Sequence, residues 1–147
     1  MKKILVLFLF LAGCQYRGTG TGNPMEQANN SAPTAASGLV GDICRKLTSC
    51  HSGLTPKACN DSVWMLSGLA ASFGAQAPID TMAQADSAEI NSTLAPVSSF
   101  KSQCTTSISS LDCLSQLVQD AYQSSSATPF ALLPAMIPPV CGQVYPP

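Results

Sequence analysis

The sequence predicts an all-α fold: a small disulfide-stapled bundle of four to five short helices with an extended, Pro-rich C-terminal tail. Three observations lead there. Apolar residues recur at three- and four-residue steps from Val40 to Ala121, the period of a helix with one buried stripe, and no run alternates in the manner of a strand. Beyond Ser126, Pro129, Pro134, Pro138, Pro139, Pro146 and Pro147 forbid a long helix. Six cysteines are spread over residues 39–147, a density suited to a domain too small to rely on its core alone.

The first helix is expected over 39–52, where Val40, Ile43, Cys44, Leu47 and Cys50 make one stripe and Gly53 supplies a stop. Thr55-Pro56 then restarts a helix, with Thr as cap and Pro in the first turn. Its stripe of Cys59, Val63, Leu66, Ala70 and Phe73, widened by Trp64, Met65 and Leu69, runs until Gly74 and Pro78 end it. Asp80 is placed to cap a third, weakly amphipathic helix from Thr81 to Asn91. Pro96 opens a fourth, with Val97, Phe100, Cys104 and Ile108 on one face. Asp112 is placed to cap a short fifth, with Leu114, Leu117, Val118 and Ala121 apolar. The tail carries Phe130, Leu132, Leu133, Met136, Ile137 and Val140, which an extended segment pinned across the helices by Cys141 would hide.

The N-terminus differs in kind. Lys2 and Lys3 precede an unbroken apolar run from Ile4 to Leu11, and Leu11-Ala12-Gly13-Cys14 follows. This is the layout of a secretory signal, and it is half the roughly twenty residues that a membrane-spanning helix needs. Leu11-Ala12-Gly13-Cys14 resembles the lipobox of bacterial lipoproteins. The resemblance implies that residues 1–13 are a signal peptide cleaved after Gly13, and that Cys14 carries a diacylglyceryl thioether and often an acylated amine such as a palmitate amide. Two or three chains anchor stably, at about 0.8 kcal/mol per buried methylene. In enterobacterial lipoproteins an acidic residue after the cysteine favours the inner membrane; Gln15 therefore leans toward the outer membrane, with the leaflet open.

Residues 14–38 read as the lipidated cysteine and a flexible tether. Gly18-Thr19-Gly20-Thr21-Gly22, Asn23-Pro24 and Asn29-Asn30-Ser31 show no apolar period. A coil of that length spans roughly 25–30 Å on average. Residues 39–147 form the expected helical six-cysteine domain.

With Cys14 taken by lipid, the other six of seven cysteines form an even set, as three disulfides require outside the cytoplasm. Cys44 and Cys50, six apart on one helix, point to different sides. Cys50 closes the first helix and Cys59 lies in the first turn of the second. Cys104 and Cys113 repeat that nine-residue offset across another helix junction. The pairing expected is Cys50–Cys59, Cys104–Cys113 and Cys44–Cys141.

Composition narrows function by exclusion. Removing Lys2 and Lys3 from the seven basic residues leaves five against eight acidic ones, a formal −3, so no basic face serves nucleic acid. Cys50-His51 falls short of covalent haem attachment, because Leu47 stands where Cys-x-x-Cys-His needs its first cysteine. One histidine and no Cys-x-x-Cys argue against zinc, and no Gly-x-Ser-x-Gly elbow supports a serine nucleophile. Asp86 and Glu89, three apart on the third helix, read as a solvated face rather than a catalytic carboxylate pair. No catalytic, metal or cofactor residue is assigned.

The run Ile43-Cys44-Arg45-Lys46-Leu47-Thr48-Ser49-Cys50, with Cys59, Cys104 and Cys113, is similar to small helical cysteine-rich envelope proteins of predatory and delta-type bacteria. That resemblance carries over no functional residue. The expectation is a non-enzymatic, membrane-anchored envelope lipoprotein with a structural or interaction role and an unknown envelope partner. The alternative is a carrier of a small apolar ligand among Trp64, Met65, Phe73, Phe100 and Phe130, with a cell-wall enzyme or haem protein behind it.

Overall fold

The computed structural model describes residues 33–147, and every described element is helical, with no strand among the described residues. Helix α1 (Ala35–Cys50) is the spine. Ala35, Ala36, Leu39, Val40, Ile43, Cys44 and Leu47 are buried along one broad face, and α2, α3, α4 and α5 all pack on it. Burial of each Leu, Ile or Val side chain there contributes about 1.5–3 kcal/mol. The helix starts at Ala35, four residues before the expected 39, because Thr34 caps it by accepting the Ser37 N–H at 3.1 Å. It stops when His51 turns extended, ahead of Gly53.

Helix α2 (Pro56–Trp64) begins as its sequence directs, with Thr55 accepting the Ala58 N–H at 3.2 Å and Pro56 in the first turn. It does not continue to Phe73. The chain breaks at Met65, turns through Gly68 at φ 79°, and resumes as a 3-10 turn, Ala70–Phe73. The cause lies in Asp80. Its carboxylate accepts from the Gly68 N–H at 2.8 Å and from the Ser67 hydroxyl, holding the break open. Asp80 is therefore not the cap of the next helix. Thr81 caps α3 (Met82–Ile90) in a reciprocal box with Gln84.

Helix α4 (Ser98–Ser109) buries Cys104 and Ile108, with Phe100 half-buried beside them. Helix α5 (Gln116–Asp120) is capped by Ser115, while Asp112 accepts the Leu114 N–H at 2.9 Å in the preceding turn. Asp42 lies inside α1, where it pairs with Arg45 and accepts from the Thr105 hydroxyl, each at 2.7 Å.

The tail packs across the helices, and its path includes a four-residue helix α6 (Leu133–Met136) and a 3-10 turn, Pro139–Gln143. Val144 and Tyr145 are fully buried. Val97 N–H donates to Val144 O, and Tyr145 N–H to Phe73 O, both at 2.9 Å. Gly74, at φ 91°, makes this possible: a β-carbon there would collide with the carbonyl oxygens of Gly142 and Tyr145.

All six domain cysteines pair, but none of the three expected pairings occurs. The bonds are Cys44–Cys59, Cys50–Cys113 and Cys104–Cys141, with Cα–Cα separations of 5.6, 5.2 and 4.7 Å. In an antiparallel helix pair, residues meet as mirror images about the middle of the loop. About Gly53, Cys59 mirrors Leu47, and Cys44 is one turn further along that buried face. Cys50 mirrors Pro56, at the start of α2, so it meets no cysteine there and bonds to Cys113 in the turn after α4. Cys104, on the face of α4 that receives the tail, bonds to Cys141 instead of Cys113, so Cys44 cannot be the tail's partner.

Candidate functional site

Two polar constellations stand at opposite ends of α1. The first clasps its N-terminus. The first N–H groups of a helix have no partner within it and carry partial positive charge. Here Glu89, near the end of α3, accepts from them: Ala35 N–H donates to Oε2 at 2.7 Å and Ala36 N–H to Oε1 at 2.8 Å. The Thr34 hydroxyl donates to Asp86 Oδ1, and the Tyr145 hydroxyl to Glu89 Oε1 at 2.6 Å. Asp86 and Glu89 are one helical turn apart, so α3 presents both to the same helix end. They are half-buried structural acceptors rather than the solvated face that the sequence predicts.

Burial pushes the Tyr145 phenol far above its ordinary range, and the hydrogen bond and negative charge of Glu89 push it the same way. The phenol therefore stays protonated and acts as a fixed donor. The arrangement does one thing well: it fixes the point where the chain enters the domain and ties it to the last residues of the tail.

The second constellation lies at the C-terminus of α1. His51 Nε2 lies 3.0 Å from Val118 O, and its ring meets Tyr122 edge-on at 5.4 Å. Tyr122 in turn meets Phe130 at 5.2 Å. Cys50, the other half of the haem-like dipeptide, is bonded to Cys113. His51 thus belongs to the packing of α5 and the tail against α1.

Three of the side chains considered for an apolar cavity are spread apart. Phe73 is buried beside Tyr145 toward one end of α1, Phe130 beside Tyr122 toward the other, and Met65 is 63% exposed. Among the described residues there is no cluster of three metal-ligating side chains, and no helix is long and apolar enough to cross a membrane. Every buried side-chain nitrogen or oxygen there has a hydrogen-bond partner. Cys14 and most of the expected tether lie outside the described residues. The last residues of that stretch, 35–38, form the first turn of α1.

Sequence reasoning missed the clasp because its signal is not local: Glu89 caps a helix that starts 54 positions earlier. Of the apolar residues read on the fifth helix, Val118 and Ala121 are buried, whereas Leu114 and Leu117 are 86% and 53% exposed. No family model, curated protein or solved structure matches the chain.

Proposed function

We propose that this chain is a non-enzymatic bacterial envelope lipoprotein, lipidated on Cys14 and positioned in the outer membrane for a structural or interaction role. One observation carries the reading. Six of the seven cysteines pair within the helical domain, and the seventh, Cys14, is the one that follows Leu11-Ala12-Gly13. Three disulfides fit an oxidising compartment, and the signal-like N-terminus supplies the route to it. The sparse charge of the chain gives no polybasic patch to hold a membrane, so the acyl chains do the anchoring.

The test compares wild type with Cys14→Ser in the native host. Wild type is expected in the membrane fraction, with an N-terminal peptide carrying thioether-linked diacylglycerol. The variant is expected to leave the membranes. An unmodified mature N-terminus, or equal membrane fractionation of both, refutes the proposal.

A further inference from the structure

The structure exposes apolar side chains at the end of α1 away from the chain's entrance. Leu114 is 86% exposed, Leu117 is 53% exposed, and Leu132 is 49% exposed at the start of α6, which packs on α5. Cys50–Cys113 and the contact of His51 with Val118 hold this region to the C-terminus of α1. Pro33 and Thr34 sit at the other end, about 24 Å away along a sixteen-residue helix. The other exposed large apolar residues, Met65 and Ile90, stand singly at the ends of α2 and α3, whereas three leucines gathered on α5 and α6 mark a contact surface.

Charge selects the occupant. Asp112 and Asp120 flank the leucines, and from Ser102 to Pro147 the sequence has no Lys, Arg or His. Asp112 is exposed; Asp120 is half-buried and accepts from Gln116 Nε2 at 2.8 Å. Lys46, which approaches from α1, is engaged with Ser109 O at 3.1 Å. An acidic rim repels an anionic lipid surface, and a second copy of the same patch would set aspartate against aspartate.

We propose that Leu114, Leu117 and Leu132 dock a protein partner through an apolar segment flanked by Lys or Arg. This rests on the proposed envelope address.

The experiment places a photo-crosslinking amino acid at Leu117 in the full-length protein in its native host, with the same residue at exposed Met65 as control. A discrete protein adduct is expected at position 117 and not at 65, and the crosslinked partner peptide should be apolar with adjacent basic residues. Leu114→Asp should reduce the adduct about tenfold, the equivalent of about 1.4 kcal/mol, since it removes a leucine that the partner would bury. Asp112→Asn with Asp120→Asn keeps both acceptors and should reduce it about threefold or more, with the remaining adduct less sensitive to salt. No discrete adduct, an adduct to a second copy, to lipid or to a segment without basic residues, or the same adduct from position 65, each overturns the proposal. Membrane fractionation of the same strains reports separately on Cys14. Loss of anchoring with the adduct retained sinks the address alone, and loss of the adduct with anchoring retained sinks the docking surface alone.

Discussion

Replacing Glu89 by Gln tests whether the clasp stabilises the fold. The carboxylate accepts three hydrogen bonds, two from the α1 N-terminus and one from Tyr145. An amide has one oxygen. If it serves Ala36 and Tyr145, its NH2 group confronts the Ala35 N–H, donor against donor. A hydrogen bond to a charged group contributes about 1.5–3 kcal/mol, and a negative charge at a helix N-terminus about 0.3–1 kcal/mol more. Glu89 is half-buried, so water recovers part of that, and the expected loss is about 2 kcal/mol. Urea unfolding with the disulfides intact, followed by fluorescence of the single, half-buried Trp64, measures it. With a slope near 1 kcal/mol per molar, usual for a small domain, the midpoint should fall by about 2 M. A fall under about 0.5 M, the range of an ordinary surface substitution, refutes the reasoning. A double-mutant cycle with Tyr145→Phe should show coupling of about 0.5–1.5 kcal/mol, because the two side chains share one bond.

Tyr145 also predicts an alkaline limit. Its folded pKa lies above its unfolded value of about 10, so its stabilisation is complete below about pH 10 and is lost as pH rises further, at up to about 1.4 kcal/mol per pH unit. Denaturation midpoints from pH 9 to 11.5 should fall less steeply in Tyr145→Phe; equal slopes would dismiss the effect. Gly74→Ala should destabilise by about 2–4 kcal/mol, through a left-handed backbone and collision with two carbonyls. Gly41→Ala in α1, where a β-carbon meets nothing within 4 Å, should stabilise by about 0.5–1 kcal/mol. Peptide mapping without reduction should recover Cys44–Cys59, Cys50–Cys113 and Cys104–Cys141. Deleting the last pair should cost about 4 kcal/mol against about 3 for the first, from loops of 37 and 15 residues.

Local chemistry was legible and its long-range use was not. Thr55-Pro56 announces α2 because cap and first turn are adjacent in sequence. Thr81 and Gln84 are equally readable as a box, yet the sequence alone favours Asp80 as the cap, because an aspartate's partner depends on which loop folds back to it. Leu66 and Ala70 keep helical spacing after Trp64, so periodicity joined two segments that Ser67, Gly68 and Asp80 separate. Leu114 and Leu117 fit an amphipathic stripe, but α5 is five residues long and buries only the side carrying Val118. The oxidised state of the six cysteines followed from parity. Their pairing required the mirror relation between α1 and α2 and the route of the tail, both tertiary facts.

The closeness of Thr34 to Tyr145 has a mechanical consequence. A pull on the segment ahead of Pro33 does not peel α1 open from its free end. The load enters at two hydrogen bonds, from the Ala35 and Ala36 N–H groups to the Glu89 carboxylate of α3, and Tyr145, bound to the same carboxylate, passes part of it to a tail that Cys104–Cys141 ties to α4. Tension applied where the chain enters is thus shared among three elements.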